Sequence, residues 1–206
     1  IEKEREHSEN LLLNILPKQI ADELKLNGQS MARNFEEVTV LFTDFQDFTQ
    51  MAETLSPQDL VAEINACFKA FDQIITNHNI EKIKTIGDSY MVAGGFDSQS
   101  IPSAKNVVIA GLEMQAFMQK RKNDLQNDHK PYFEMRVGIH TGPVVAGIVG
   151  VKKFQYDIWG DTVNTASRME SSCEVGRVNI SQSTFDILKN DTALQFESRG
   201  KIEAKN

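Results

Sequence analysis

The chain has 206 residues, of which 40% are hydrophobic and 25% charged, so it is long enough for one large domain or for one domain with an appendage. Its net charge is −7 and no block of Lys or Arg stands out, which argues against a nucleic-acid-binding surface. No stretch approaches the roughly 20 apolar residues that span a bilayer, and no signal peptide is visible in the charged first residues.

The first 35 residues are predicted to be helical and to lie outside the core. Residues 1–16 contain no Gly or Pro, whereas Pro17 ends this helix and begins a second one, which ends at Gly28. We interpret residues 1–35 as a linker segment. A plain helical extension and a dimer-forming stalk that transmits a signal are both compatible with this pattern.

Residues 36–206 are predicted to form one α+β domain. The order of its elements is β-α-β-β-α-β, followed by further helices and strands, which is the split βαβ arrangement of a ferredoxin-like sheet with helices on one face. The predicted strands are 36–45, 80–85, 90–93, 133–140, part of 141–150, 178–180 and 194–197, and the predicted helices run from Pro57 to about Asn77, from Pro102 to about Leu125, and over 161–171 and 183–189.

Cysteine usage and the two ends of the chain bear on its cellular context. Cys67 and Cys173 match no metal-binding spacing and fit a reducing compartment, so we expect a cytoplasmic domain with buried thiols. The sequence begins without Met and ends at Asn206 without a capping turn. We therefore expect it to be part of a longer protein. The sequence leaves open whether an upstream sensor or a membrane anchor precedes it there.

Two aspartates at the ends of predicted strands are the first candidates for chemistry. Asp44 closes the apolar strand 36–45, and Asp88 lies at the Gly-Asp tip of the predicted hairpin. Taken singly, each is also explained as an ordinary turn residue. Brought together at rigid strand ends, they form a hard-oxygen site for Mg²⁺, and two ions held there suit phosphoryl transfer.

Lys84 and Asp157 are candidates for the recognition of a purine base. Lysine offers only donors and a carboxylate only acceptors, which complements the N1 acceptor and the N6 amino donor of adenine. Guanine has an acceptor at O6 and donors at N1 and N2, and would favour an acidic residue in place of Lys84. A mispaired buried polar group costs about 1–3 kcal/mol, which is enough to favour ATP over GTP. Alone, Lys84 is also compatible with a solvated strand lysine.

Asn164 and Arg168 lie four residues apart on a predicted helix and share one of its faces. An arginine can spread over phosphate oxygens and stabilise the charge of a transition state, and an asparagine can orient a ribose oxygen. In isolation the two also fit a surface pair on an amphipathic helix. Lys205 fits either a contact to a triphosphate or a tail lysine. His140 is assigned a structural role, because no nearby partner indicates acid–base chemistry.

Four segments, in order, resemble those of the class III nucleotidyl cyclase catalytic domain. They are LFTDFQDFT at 41–49, EKIKTIGDSYM at 81–91, RVGIHTGPV at 136–144 and YDIWGDTVNTASRM at 156–169. The resemblance covers about residues 36–206. The segment NLLLNILP at 10–17 is similar to the helical transducer that precedes this domain in many sensor-linked cyclases.

The resemblance implies roles for the residues that bind metal and base. Asp44 and Asp88, together with the backbone carbonyl of Phe45, would bind two Mg²⁺ or Mn²⁺ ions. Lys84 and Asp157 match the pair that selects adenine in adenylate cyclases, whereas guanylate cyclases carry different residues at these places.

The resemblance also implies catalytic residues and a dimer. Asn164 would orient the ribose and Arg168 would stabilise the transition state, while the lysine that contacts the triphosphate corresponds to Lys205 or to a residue beyond Asn206. In this family the metal-binding residues of a site come from one chain, and the base-binding and catalytic residues from a second chain placed head to tail. This chain carries both sets, which implies a homodimer with two equivalent sites.

One position departs from the family pattern, because Asp47 stands where Gly is usual in the loop after the first metal-binding aspartate. A carboxylate there is expected to repel a triphosphate or to crowd the backbone. The expected function is an adenylate cyclase that converts ATP to 3′,5′-cyclic AMP and pyrophosphate. Two alternatives stay open: a guanylate or mixed-specificity cyclase, and a non-catalytic regulatory module that dimerises through a cyclase-like fold.

Overall fold

The computed structural model describes residues 2–97, 103–150 and 153–203. In these ranges the helices are α1 (Glu2–Leu13), α2 (Lys18–Asn27), α3 (Phe48–Glu53), α4 (Pro57–Asn77), α5 (Ser103–Asn127), α6 (Asp161–Ser171) and α7 (Gln182–Leu188). The strands are β1 (Arg33–Phe45), β2 (Glu81–Ile86), β3 (Ser89–Gly94), β4 (Met135–Val149), β5 (Gln155–Trp159) and β6 (Val178–Ile180). No helix in the described ranges is both long and apolar enough to cross a membrane.

One sheet forms the centre of the fold, with its strands in the order β2-β3-β1-β4-β5 and with β6 beside β4. Neighbouring strands are antiparallel, except that β4 and β6 run parallel. The long strands β1 and β4 pair along most of their length and bring Phe45 opposite Met135. The predicted α+β fold class is confirmed.

Helices α4, α5 and α7 cover one face of the sheet, called here the α4/α5 face. Leu41 and Phe45 of β1 point to this face and are buried with Phe71 of α4 and Met114 of α5. Successive residues of a strand face opposite sides, so the alternate apolar residues of β1 supply this half of the core. The ring of Phe45 stacks on that of Phe133, with the ring centroids 5.0 Å apart.

Helices α2 and α6 cover the other face of the sheet, whereas the sequence predicts helices on one face only. Val38 and Val40 of β1 face this side and pack in one cluster with Ile20 of α2 and Ala166 of α6. The expectation that residues 1–35 lie outside the core is therefore wrong for α2. Ile20 and Leu24 are four positions apart, so they share a helix face that can pack on the sheet. The functional division of the chain at residue 35 stays a prediction.

The strand β4 is longer than predicted. It continues past His140 to Val149, although the glycines and the proline after it predict a turn. Pro143 fits inside the strand because β1 has one extra residue between Phe35 and Val38 at that level. Such a bulge interrupts the ladder, so the missing backbone N–H of proline leaves no hydrogen bond unmade.

The predicted strand 194–197 does not form, and these residues adopt no regular structure. Leu194 and Phe196 nevertheless pack on the α4/α5 face, and the ring of Phe196 lies 5.2 Å from that of Phe185 between centroids. The alternating apolar residues of this segment therefore pack on the core without forming a strand. The short elements α3 and β5 are absent from the sequence prediction.

Candidate active site

Asp44 and Asp88 lie side by side at one end of the sheet. Antiparallel pairing of Thr43 with Tyr90 brings the end of β1 beside the turn between β2 and β3, and Ser89 Oγ donates to the Thr43 carbonyl oxygen at 2.8 Å. The two carboxyl groups are close enough to interact electrostatically. Burial raises the pKa of Asp88, and the charge of Asp44 raises it further. Two acidic groups held this closely favour a bound cation.

Phe45 contributes its backbone to this site and its side chain to the core. The ring is buried in the aromatic cluster on the α4/α5 face. The backbone of Phe45 acts on Asp88 and lowers the pKa of that carboxyl group, which opposes the effects of burial and of Asp44. Packing of the ring therefore holds the backbone of Phe45 next to both aspartates.

Arg136 and Glu170 extend the acidic pair into a network that the sequence analysis did not single out. Arg136 lies opposite Asp44 across β1 and β4, and its Nη2 donates to Oδ2 of Asp44 at 2.9 Å. Its Nε lies 3.1 Å from Oε1 of Glu170, yet neither of these two buried atoms has a hydrogen bond of good geometry. The signal that could have found them is a charge at a core-facing position: Arg136 alternates with the apolar residues of β4, and Glu170 lies four residues after Ala166.

Glu170 enters this network because α6 lies very close to β4. A Cβ atom added at Gly138 of β4 would stand 1.8 Å from the backbone nitrogen of Glu170, so only glycine permits this approach. Asn179 of β6 donates to the Met169 carbonyl oxygen at 2.9 Å and holds the same end of the helix. Burial raises the pKa of Glu170 to about 7, with Arg136 acting in the opposite direction.

The donor set at Asp44 and Asp88 fits a divalent metal ion. Within the described part of the chain, no group of three or more His, Cys, Asp or Glu side chains could hold an ion by itself. Mg²⁺ is usually held by one or two carboxylates, with substrate phosphate oxygens and water filling its octahedral shell. The two aspartates and the carbonyl of Phe45 match that pattern. A cation would also relieve the repulsion that contributes to the raised pKa of Asp88.

Lys84 and Asp157 form an ion pair between the two ends of the sheet. Lys84 belongs to β2 and Asp157 to β5, which are the first and last strands in the order given above, and the sheet curves enough to bring these strands into contact. Lys84 Nζ lies 2.6 Å from Oδ2 of Asp157. The N–H of Ile158 donates to Oδ1 at 2.8 Å, so the carboxylate is held from two sides. A donor and an acceptor thus stand together in fixed, partly buried positions.

Asn164 and Arg168 lie on the exposed face of α6. The opposite face of this helix is buried against the sheet and consists of Thr162, Ala166 and Glu170. Positions two apart on an α-helix point in nearly opposite directions, so Asn164 and Arg168 point away from the sheet. The two residues share a face, as the sequence predicts, and that face is open to solvent.

Two other positions from the sequence analysis have different outcomes. Lys205 lies outside the described residues. Asp47 directly precedes α3 with a left-handed backbone, at φ 53°, and its Oδ1 accepts a hydrogen bond from Nε2 of Gln46 at 3.0 Å. Left-handed angles favour glycine and are tolerated by aspartate. The backbone at Asp47 therefore adopts a left-handed turn of the kind that glycine, the expected residue at this position, adopts readily.

The segment that contains these residues matches one family model. Residues 30–206 match the adenylate and guanylate cyclase catalytic domain. The chain belongs to this family. Every candidate site residue lies within the match, and the resemblance to class III cyclases is confirmed.

Among relatives, an "Adenylate cyclase" of Mycobacterium tuberculosis is 39% identical over all of this chain, which spans 45% of that protein. The cyclase domain described here thus covers less than half the length of that relative. The family relationship makes it a nucleotidyl cyclase catalytic domain.

Solved structures with the same fold include both kinds of cyclase. The adenylyl cyclase CyaB from P. aeruginosa has a TM-score of 0.73 at 28% identity, with 79% of this chain and 84% of the other covered. The catalytic core of a rhodopsin-guanylyl cyclase with converted specificity, in complex with ATPαS, has a TM-score of 0.71 at 33% identity, with 78% and 85% covered.

Proposed function

We propose that this domain is an adenylate cyclase that converts ATP to 3′,5′-cyclic AMP and pyrophosphate. The observation that carries the proposal is the ion pair of Lys84 and Asp157, with Nζ and Oδ2 2.6 Å apart. A donor beside an acceptor complements the N1 and N6 edge of adenine, whereas guanine would leave at least one of these polar groups mispaired. The name of the M. tuberculosis relative supports the same substrate.

Asp44, Asp88 and the carbonyl of Phe45 are proposed to hold two Mg²⁺ or Mn²⁺ ions. When bound, such ions lower the pKa of an attacking hydroxyl group and neutralise charge on phosphate oxygens. The protein residues then have separate tasks around the ribose 3′-hydroxyl and the α-phosphate. Asn164 orients the ribose, and Arg168 stabilises the charge that builds on the phosphate in the transition state. Lys205 is proposed to contact the triphosphate.

A homodimer with shared sites is proposed from the direction of α6. Asn164 and Arg168 are exposed on the face of α6 that points away from the sheet, while the Asp44 network contacts the opposite, buried face through Glu170. We infer that Asn164 and Arg168 act on a nucleotide held by the aspartates of a second copy, placed head to tail. Each dimer then has two equivalent sites.

The specificity test compares initial rates with ATP and with GTP, using the purified chain and Mn²⁺, and identifies products by chromatography. The expected result is faster formation of cyclic AMP. The variant Lys84→Glu should lose most ATP turnover and shift the rate ratio toward GTP, because its carboxylate accepts from the guanine N1–H. A wild-type chain that turns over GTP faster than ATP would overturn the assignment of Lys84 and Asp157.

A guanylate or mixed-specificity cyclase is the second candidate, because guanylyl cyclases are among the solved structures with the same fold. The rate comparison above decides between the two. We also infer that an upstream sensor or regulatory segment belongs to the full protein. We propose a cytoplasmic location for this domain, because Cys67 and Cys173 are both free thiols, as a reducing compartment would keep them. Comparing the longer protein with the present chain, which keeps α2 in the core, tests the upstream segment, and equal rates under all stimuli would contradict it.

A further inference from the structure

The helix α6 takes part in two different sites through its two faces. Its exposed face carries Asn164 and Arg168, and its buried face ends in Glu170, beside Arg136 and Asp44. In a head-to-tail homodimer the exposed residues serve one site, while Glu170 lies next to the aspartates of the other. A single rigid helix therefore touches the machinery of both sites.

The contact between Arg136 and Glu170 is close but not optimal. Nε of Arg136 and Oε1 of Glu170 are 3.1 Å apart, and both are buried without a hydrogen bond of good geometry. The same guanidinium group donates from Nη2 to Asp44 at 2.9 Å. Arg136 is thus shared between two carboxylates. The contact to Glu170 is the less well directed of the two, so a small rotation of the guanidinium toward Glu170 would improve that pair at the expense of the contact to Asp44.

We propose that Glu170 is a positioning residue that draws Arg136 away from Asp44 when a metal ion binds, and that α6 thereby links this metal site to the placement of Asn164 and Arg168 at the second site. The proposal rests on the homodimer proposed above. An ion on Asp44 repels the guanidinium, which then needs another anionic partner in the buried site. Glu170 supplies that partner, and any adjustment of its position is passed to the rest of α6.

The direction of the effect follows from charge. At pH 8, above the pKa of about 7 that burial gives Glu170, the wild-type side chain is mostly ionised. Glu170→Gln then keeps the shape of the side chain and removes its charge, so Arg136 pairs more fully with Asp44 and competes with the ion. Mn²⁺ binding should weaken about 5- to 10-fold, in the range usual for coupling between sites. Binding is measured by electron paramagnetic resonance of free Mn²⁺ at a fixed concentration of 3′-deoxy-ATP, which lacks the attacking hydroxyl and is not turned over. The Mn²⁺ that the nucleotide binds by itself is measured in samples without protein and subtracted.

A double-mutant cycle separates positioning from a general structural role. If Glu170 acts through Arg136, Glu170→Gln should change Mn²⁺ affinity in the wild type but not in an Arg136→Ala background. An equal loss in both backgrounds, or no loss in either, overturns the proposal. The matched control is Glu63→Gln, because Glu63 forms a similar partly buried pair with Arg121 between α4 and α5. This control should lower the melting temperature and leave Mn²⁺ affinity unchanged.

A mixed dimer tests the link between the two sites. One chain carries Arg168→Ala and keeps its aspartates; the other carries Asp88→Ala and keeps its Arg168. Together they form one working site. Adding Glu170→Gln to the first chain should raise the Mn²⁺ concentration that half-saturates the activity. Adding it to the second chain should lower kcat a few-fold, since the α6 of that chain presents Arg168.

The outcomes are distinguishable. An effect from the first chain only would overturn the link through α6. No activity from any mixture of the two chains would contradict the shared-site dimer, while the Mn²⁺ titrations of the single variants would still judge the role of Glu170.

Discussion

The paired carboxyl groups of Asp44 and Asp88 show how a functional site is built against local stability. Burial, and then the neighbouring charge of Asp44, raise the pKa of Asp88. A carboxyl group whose pKa is raised by folding destabilises the folded state wherever it is ionised. The site is therefore held in place by the surrounding strands and by the packed ring of Phe45.

The substitution Asp88→Asn should separate function from stability. Cyclic nucleotide formation should fall at least about 100-fold, because one metal-binding carboxylate is lost. The melting temperature without metal should rise, since the charge repulsion is removed. The gain should be absent below the ordinary pKa of an aspartate, 3.8, and should grow as the pH rises from there through the raised pKa of Asp88 in the folded wild type. A variant that is less stable than wild type at pH 7 would contradict this view of the pair.

The substitution Arg168→Ala should affect the chemical step more than the binding of substrate. An arginine that acts on transition-state charge contributes about 100- to 1,000-fold to kcat, while KM for ATP should change much less. Steady-state kinetics with ATP and Mn²⁺ measures both. The control is Arg177→Ala, an exposed arginine that pairs with Glu197 on the surface and should leave kcat unchanged. A rise in KM alone would assign Arg168 to ground-state binding.

At the scale of elements, the position of α6 on β4 depends on a glycine. The space at Gly138 is already filled by the backbone of Met169 and Glu170. Gly138→Ala should therefore push α6 outward, cost about 2–3 kcal/mol of unfolding free energy and reduce activity further than stability alone explains. Denaturant unfolding and rate measurements test this.

The matched control lies on the opposite face of the sheet. A Cβ atom at Gly111 of α5 would meet only side-chain atoms, the nearest being Leu41 Cδ1 at 3.2 Å. Those atoms can shift, and alanine favours a helix over glycine by up to about 1 kcal/mol. Gly111→Ala should be nearly neutral. Equal losses for the two variants would show that the approach of α6 to β4 has no special importance.

The helix α2 is part of the folded core, and a single truncation should show it. Ile20 is 5% exposed and packs against β1, so Ile20→Ala should cost about 2–4 kcal/mol. Leu26, on the same helix, is 83% exposed, and Leu26→Ala should change stability by less than about 0.5 kcal/mol. Chemical denaturation of both variants measures this difference. Similar values for the two would mean that α2 is not held on the sheet.

At the scale of the whole molecule, activity should depend on assembly. If Asn164 and Arg168 act on a nucleotide bound to another copy, a monomer has no complete site. Specific activity should rise with protein concentration and level off where sedimentation shows dimer, in line with mass action. Constant specific activity across a range in which the chain is monomeric would show that one copy suffices.

Several features of this protein are readable from the sequence alone because they depend on neighbours along the chain. Strand ends and turns are set by local apolar patterns and glycines, which locate Asp44 and Asp88. The four-residue spacing of Asn164 and Arg168 places them on one helix face. The chemistry of the side chains then limits what such a site can bind, and four motifs in order identify the family.

Other features are decided only by the tertiary structure. The ion pair of Lys84 and Asp157 joins strands at opposite ends of a curved sheet. The contact of Arg136 with Glu170 requires a helix that lies on Gly138, a glycine of the same strand as Arg136. The residues in these contacts are far apart in sequence, so no local pattern reports them. Likewise, the apolar stripe of α2 is visible in the sequence, but the surface that it covers is not. That surface is a face of the sheet, which exists only after strands that are distant in sequence have paired.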